Sequence, residues 1–158
     1  MKNKIKKLYH NNHNINDLAN SITNNKHVSC LGLIGSSKAF IVATTSDIIG
    51  GQNFIICSDK ERAAYFYNDL ENYYEEKEAD YSKKRVLFYP TSYKRPYEPE
   101  KADNTYILSR TEVLQRLSSS DRKAIVVTYP EALSEKVITR KTMNNNTFKL
   151  SVADNISI

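Results

Sequence analysis

One stretch of the sequence has the residue types of a phosphate-binding loop. Residues 32–39 read Gly-Leu-Ile-Gly-Ser-Ser-Lys-Ala, after an apolar run and before a segment with the spacing of a helix. Backbone N–H groups at the start of a helix attract phosphate, and a nearby lysine neutralises its charge. The positions that could take part are Gly32, Gly35, Ser36, Ser37, Lys38 and Ala39.

This loop has lost two of the four positions that define the motif G-x-x-x-x-G-K-[ST]. Gly32 and Lys38 match, whereas Ser37 replaces the second glycine and Ala39 replaces the serine or threonine. Ala39 has no hydroxyl to bind the Mg²⁺ that bridges the phosphates, and the Ser37 side chain stands where the backbone must approach phosphate closely. We therefore expect a degenerate, structural loop that binds neither ATP nor Mg²⁺.

A second candidate is a segment in which basic and aromatic residues alternate. It begins with Lys83, Lys84 and Arg85, and the residues that could contact nucleic acid are Tyr93, Lys94, Arg95 and Tyr97. Basic side chains can follow a phosphate backbone while aromatic rings stack on bases. Glu98 and Glu100 dilute the positive charge, so a solvated loop is the alternative.

Histidines and cysteines complete the set of residues that could do chemistry. His10, His13 and His27 lack metal-ligand spacing with a cysteine, so we expect exposed histidines and no metal site. Cys30 and Cys57 lie in apolar runs, which predicts buried free thiols. No arrangement of paired carboxylates or of a catalytic triad can be argued.

Composition limits the class of protein. The chain has 158 residues and a mass of 18.1 kDa, with 40% hydrophobic and 26% charged residues, as a soluble globular domain does. No apolar run approaches the roughly 18 residues of a membrane-spanning helix, and no secretory signal is recognisable. We expect a cytoplasmic protein without a membrane partner. The net charge of +5 permits an anionic partner without requiring one.

Apolar runs alternate with helical patterns along the chain. Buried strands are predicted over 28–34, 54–57, 86–89 and 124–128. Helices are predicted over 15–22, 38–49, 58–74, 105–117 and 130–137. Capping boxes are predicted at 58–61 and 128–131, where two of these helices begin. Continuous apolar strands separated by helices indicate an α/β fold with a parallel sheet covered on both faces. A leader with a short peripheral helix (1–25) precedes this domain (26–141), and a polar linker with the first strand of a truncated second domain (142–158) follows it.

The set of segments resembles the amino-terminal region of the bacterial transcription-repair coupling factor, Mfd. The similarity covers roughly residues 25–158 and is specific in the order and spacing of its parts rather than in any one motif. Its parts are the loop at 32–39, the segments 54–59, 87–90, 96–98, 110–114 and 125–128, and the helices containing Ala63, Leu70, Ala132 and Leu133.

The resemblance implies a module similar to the excision-repair protein UvrB, whose first domain has a RecA-like fold. The phosphate loop is intact in UvrB and degenerate in the coupling factor, as it is at Ser37 and Ala39 here. UvrB also inserts a tyrosine-rich hairpin after its third strand, whereas only a short loop with prolines joins Tyr89 to Thr105 here. The resemblance therefore favours the coupling factor.

The same resemblance implies a non-catalytic scaffold in transcription-coupled nucleotide excision repair. In this family the full protein displaces stalled RNA polymerase with an ATP- and Mg²⁺-dependent translocase on double-stranded DNA, in downstream domains. It recruits UvrA through the UvrB-like region, mainly through the domain that we expect to begin at Phe148. For this chain, the resemblance implies neither an activity nor a cofactor of its own.

Two other functions stay open on the residues alone. The chain could be the ATP-binding lobe of a UvrB-like DNA helicase, which requires Ser37 and Ala39 to be compatible with Mg-ATP. It could also be a weak single-stranded nucleic-acid-binding module that uses the residues around Tyr93 and Tyr97. Nucleotide and nucleic-acid titrations distinguish these functions from the scaffold.

Overall fold

A three-stranded parallel sheet lies at the centre of the fold. In the computed structural model, which describes residues 2–25, 27–92, 104–118 and 123–146, the strands are β1 (Gln52–Ile56), β2 (Val86–Phe88) and β3 (Ala124–Thr128). They lie in the order β1-β3-β2, so β3 pairs with both neighbours. The predicted parallel α/β sheet is therefore confirmed at three of its four expected strands.

Helices flank this sheet in the described part of the chain. They are α1 (Lys2–His10), α2 (His13–Asn24), α3 (Ser37–Ile49), α4 (Lys60–Tyr74), α5 (Asn104–Ser118), α6 (Pro130–Ser134) and α7 (Arg140–Asn145). A 3₁₀ turn, Tyr81–Lys83, precedes β2. The helices predicted over 15–22, 38–49 and 105–117 correspond to α2, α3 and α5.

The two faces of the sheet are covered by different helices. The chain crosses from β1 to β2 through α4 and returns to β3 through α5. The connection from β1 to β2 crosses the sheet in one direction, and the connection from β2 to β3 crosses it in the other. Because connections between parallel strands are right-handed, their helices α4 and α5 lie on opposite faces of the sheet. Each of these helices packs on β2 and β3, and α3 packs beside α4. On the α4 face, the ring centroid of Tyr67 lies 5.4 Å from that of Phe88.

The strand predicted over residues 28–34 is not formed. Residues 28–34 have no regular secondary structure and most of them are exposed, with 92% of Leu31 and 82% of Ile34 accessible to solvent. Gly32 and Gly35 have φ angles of +78° and +54°, which interrupt the extended backbone that a strand requires. The apolar pattern of this run was therefore misleading, and the expected strand before the phosphate loop is absent.

The first 25 residues contain two helices rather than a loose leader with one helix. Both α1 and α2 pack on α3. The ring of Tyr9 lies 5.3 Å from the ring of Phe40, and α2 buries Ile15 and Ala19. The apolar side chains of this region therefore extend the packing around α3.

The two predicted capping boxes are replaced by other interactions. Asp59 rather than Ser58 caps α4, since its Oδ1 accepts a hydrogen bond from the Arg62 N–H at 2.8 Å. At the second position, Thr128 Oγ1 donates to the carbonyl of Tyr89 at 2.9 Å, and α6 begins without a side-chain cap. A buried hydroxyl must find a partner, and the fully buried Thr128 finds it in the carbonyl of the residue after β2.

The polar segment predicted as a linker after residue 141 is partly helical. The hydroxyl of Thr139 caps α7 by accepting from the Thr142 N–H at 3.2 Å. Met143 is buried. The strand expected over 148–152 lies outside the described residues.

Buried charges hold the chain that leads into β2. The Nζ of Lys84 lies 2.5 Å from Glu71 Oε1, and both side chains are 11% exposed. From the opposite side, Arg116 donates to the carbonyls of Lys84 and Ser82 at 2.5 and 2.8 Å. Removal of one member of a buried pair leaves an uncompensated charge, so these contacts fix α4 and α5 against the same segment.

Tyr74 joins α4 to α3 through its hydroxyl. The hydroxyl donates to the Ala43 carbonyl at 3.1 Å and to Asp47 Oδ1 at 3.0 Å, and Arg85 pairs with the same carboxylate.

Burial raises the pKa of Tyr74, the Asp47 charge raises it further, and the Arg85 charge lowers it. The folded state thus holds this proton more tightly than the unfolded chain. The resulting stability is present below the unfolded pKa of 10.0 and is lost as the pH rises above it.

Tyr74→Phe should lower the free energy of unfolding by about 1 kcal/mol at neutral pH, because the hydroxyl's hydrogen bonds are lost. In alkaline solution, the stability of the wild-type chain should fall more steeply than that of the variant. Urea denaturation followed by circular dichroism at a series of pH values measures both effects. Tyr65→Phe, at a position that is 75% exposed, is the control. Parallel alkaline curves for the wild type and Tyr74→Phe would contradict this role.

Candidate functional site

The carboxyl edge of the sheet is the first place to examine for a site. In open α/β sheets, ligands bind beyond the carboxyl ends of the strands, where the chain crosses to the opposite face. Here residues 57–59 follow β1, residues 89–92 follow β2, and residues 129–135 follow β3. These three segments supply the polar groups of the edge.

Arg110, on α5, is the central residue of this edge. Its side chain is 8% exposed, and Nη1 donates to the carbonyls of Pro90 (2.7 Å) and Ala132 (3.1 Å) and lies 3.2 Å from Glu135 Oε2. The guanidinium also lies 4.2 Å from the ring centroid of Tyr89. Arg110 therefore fastens the chain after β2 to the chain after β3.

Glu135 and Tyr129 extend these contacts. The Glu135 carboxylate accepts from the Ser92 N–H at 2.9 and 3.0 Å and from its hydroxyl at 2.7 Å. The Tyr129 hydroxyl accepts from the Thr91 N–H at 3.0 Å. We call the set of Arg110, Glu135, Tyr129, Tyr89, Thr91 and Ser92 the Arg110 clasp. Its polar groups bond to one another and to the main chain, which is the arrangement of a structural anchor.

Burial raises the pKa of Tyr89 within this clasp, and the nearby Arg110 charge opposes that effect. A phenol with a raised pKa stays protonated at neutral pH and cannot serve as a base. The clasp holds the two strand ends together.

At the end of β1, Asp59 is an anion and Cys57 is a poor nucleophile. Hydrogen bonds from the Arg62 N–H and the Ser58 hydroxyl lower the pKa of Asp59. Burial and the Asp59 charge raise the pKa of Cys57 and so suppress its thiolate.

Both cysteines are free, but the burial predicted for them is wrong for Cys30, which is exposed, and only partial for Cys57. Cys30 belongs to the run that does not form a strand.

The residues of the degenerate phosphate loop bond within the loop itself. Ser37 Oγ donates to the Ile34 carbonyl at 2.5 Å, and Ala39 is 1% exposed. The N–H groups of Lys38 and Ala39 donate to the carbonyls of Gly35 and Ser36 at 3.4 and 3.0 Å. A phosphate nest needs such amides to point outward. Lys38 is exposed at the side of this turn.

The loop also lies away from the carboxyl edge. Ser36 lines a cavity of about 160 Å³ together with side chains of α1, α3 and the last turns of α4. These are Ile5, Lys6, Phe40, Asp69, Asn72 and Tyr73. The carboxyl edge is at the opposite end of α4, next to Lys60, and twelve residues of helix span about 18 Å. The loop and the Arg110 clasp therefore do not form one site.

The candidate nucleic-acid residues Tyr93, Lys94, Arg95 and Tyr97 lie outside the described residues. Two of the basic residues that precede them have structural partners. Lys84 pairs with Glu71, and Arg85 pairs with Asp47. The described part of the segment therefore offers less free positive charge than its sequence indicates.

Two of the three histidines lie beside carboxylates. His10 Nε2 is 3.5 Å from Asp47 Oδ2, and His13 Nε2 is 3.2 Å from Asp17 Oδ2. Among the residues that the structure describes, no three side chains of the metal-binding types form a group. His27 is exposed.

Comparisons of this chain with protein-family profiles, with curated proteins and with solved structures gave no match. A search of the described helices found none with the length and apolar character needed to cross a bilayer. A functional assignment therefore depends on the residues and the geometry given above.

Arg110→Lys should lower the free energy of unfolding by about 1–3 kcal/mol, because an ammonium cannot replace the guanidinium fork between the two strand ends. Urea denaturation measures the loss, and faster hydrogen exchange at the Ser92 amide locates it. Arg62→Lys, at a position whose side chain is 76% exposed, should change stability by less than about 0.5 kcal/mol. Equal effects of the two substitutions would contradict the clasp.

Proposed function

We propose that this chain is a non-catalytic scaffold module of a transcription-repair coupling factor. The observation that carries the proposal is the state of the degenerate loop. The hydroxyl of Ser37 and the amides of Lys38 and Ala39 bond within the loop, and Ala39 is buried. Bonds of this kind, together with the absence of the second glycine and of the metal-binding hydroxyl, support a structural role for the loop.

The arrangement of the sheet supports the RecA-like part of this proposal. A RecA-like domain contains a parallel sheet with helices on both faces, and the β1-β3-β2 sheet between α4 and α5 is compatible with part of one. The order of segments from the loop to α6 provides the resemblance to the coupling factor. Among the described residues before the loop, 2–25 and 27–31, no strand is formed, which is a departure from a working nucleotide domain.

In this proposal the module has no enzyme activity, and ATP and Mg²⁺ serve a motor elsewhere in the full protein. That motor acts on double-stranded DNA and removes stalled RNA polymerase. UvrA is recruited through the region that adjoins this module, beginning near Phe148. The Arg110 clasp and the buried charges at β2 give the module the rigid core that a scaffold needs. Its place of action is the cytoplasm.

Mg-ATP should not bind this chain measurably. Isothermal calorimetry should give no saturable heat at millimolar nucleotide, because the hydroxyl that bridges Mg²⁺ is absent and the amides of Lys38 and Ala39 bond within the loop. Lys38→Ala should therefore leave the titration unchanged. Micromolar binding that disappears in Lys38→Ala would support the ATP-binding lobe and overturn the scaffold.

The function itself is tested in the cell of origin. Disruption of the gene should make repair of ultraviolet damage equally slow on the transcribed and non-transcribed strands. The matched variant Lys38→Ala should keep the faster repair of the transcribed strand, since the loop does no chemistry. A strand bias that survives disruption of the gene would refute the assignment to a coupling factor.

A further inference from the structure

Positive charge is concentrated in one part of the chain. Residues 1–49 contain six lysines, no arginine and two acidic residues, Asp17 and Asp47, whereas residues 50–158 contain 17 basic and 16 acidic residues. Four of the six lysines lie in α1, which has no acidic residue. Residues 1–49 therefore carry most of the net charge of +5.

The two faces of α1 have different surroundings. One face packs on α3, since Ile5 lines the cavity next to Phe40 and the ring of Tyr9 lies 5.3 Å from the ring of Phe40. Lys4 and Lys7 are exposed, and a spacing of three residues places both on one side of a helix. The outer face of α1 therefore presents two ammonium groups to solvent.

Acidic side chains do not neutralise this outer face in the described part of the chain. Neither Lys4 nor Lys7 forms an ion pair with a described side chain, and the two acidic residues of 1–49 pair with other basic residues. Asp69 of α4 lines the cavity together with Lys6, whose Nζ lies 4.9 Å from the ring centroid of Tyr73. Lys6 thus has neighbours within the protein, and the charges of Lys4 and Lys7 are unpaired.

These lysines make α1 less stable as a helix. A cation in the first turn opposes the helix dipole, and two like charges three residues apart repel each other. A polyanion along the outer face would relieve the repulsion between Lys4 and Lys7. Uncompensated positive charge on one face also favours association with an anionic partner.

We propose that the outer face of α1 binds the phosphate backbone of double-stranded nucleic acid without regard to base sequence. A duplex carries one negative charge for about every 1.7 Å of its axis, and the Cβ atoms of Lys4 and Lys7 are about 5–6 Å apart, so both ammonium groups can reach phosphates together. Contacts of this kind carry no sequence information. This site goes beyond the scaffold function proposed above and does not depend on it.

Two other anionic partners fit this face less well. Single strands are bound by stacking of their bases on aromatic rings, and the aromatic residue of α1, Tyr9, packs on Phe40. A membrane surface takes up the apolar face of an amphipathic helix, but that face of α1 packs on α3. Leu8, which is 65% exposed, is the apolar side chain left on the outer face.

The test measures binding of the full chain to a fluorescent duplex of about 20 base pairs. Anisotropy at about 50 mM salt should show binding that is equal for duplexes of different sequence and weakens as salt rises. Replacing both lysines, Lys4→Gln with Lys7→Gln, should weaken binding by about tenfold or more. The slope of log K against log salt should become shallower by about two, because two phosphate contacts are lost.

A matched control removes the same charge elsewhere. Lys136→Gln with Lys141→Gln changes two exposed lysines in the part of the chain after α6, and binding should change by less than about twofold. Circular dichroism verifies that both variants fold. Equal weakening by the two pairs of substitutions would show attraction by net charge alone and would overturn the site.

Two further ligands distinguish the duplex from the other anions. A single strand of the same length should bind more weakly than the duplex, and vesicles of phosphatidylserine and phosphatidylcholine should not bind the chain at the same salt concentration. Tighter binding of the single strand would refute the proposal. Vesicle binding without duplex binding, or no duplex binding at about 50 mM salt, would refute it as well.

Discussion

The burial of β3 is the constraint on which the rest of the structure depends. All five residues of this strand are buried, and the strand pairs on both edges. Such a strand is stable only when helices cover both of its faces, which α4 and α5 do from opposite sides. The last residue of β3, Thr128, bonds to the carbonyl of Tyr89, and the next residue, Tyr129, bonds to Thr91. The position of the chain after β2 therefore follows from the position of β3.

The strand β2 is short and depends on polar contacts at both of its ends. At its start, the Glu76 carboxylate accepts hydrogen bonds from the N–H groups of Arg85 and Val86 at 2.9 and 3.0 Å. Arg116 donates hydrogen bonds to the carbonyls of Ser82 and Lys84, which precede the strand. At its end, Arg110 binds the Pro90 carbonyl. Buried charges such as these cost desolvation, and they position the chain only because their hydrogen bonds are satisfied. In this protein, arginine and glutamate thus support a strand that is too short to hold its own register.

The same organisation determines what occupies the carboxyl edge of the sheet and which strand has an exposed edge in the described part of the chain. The carboxyl edge, where α/β proteins often bind ligands, is occupied by the Arg110 clasp. The degenerate phosphate loop lies beside the far end of α4, and its Ser37 hydroxyl and the amides of Lys38 and Ala39 bond within the loop. The open surface is instead the edge of β1, where Phe54 and Ile56 are exposed.

The residue pattern by itself determined the three strands of the sheet, the helices α2 to α5 and the parallel α/β class. These follow from short apolar runs, helical spacing and chain breaks, which act locally. The departures from the phosphate-loop motif at Ser37 and Ala39 were also readable, since they depend on residue type. Only the tertiary structure decided that residues 28–34 stay outside the sheet and largely exposed, because a strand needs a neighbour and a backbone free of left-handed glycines. The contacts of the Arg110 clasp and the exposure of Cys30 likewise depend on which distant segments pack together. The spacing of residues within one segment does not encode contacts between distant segments.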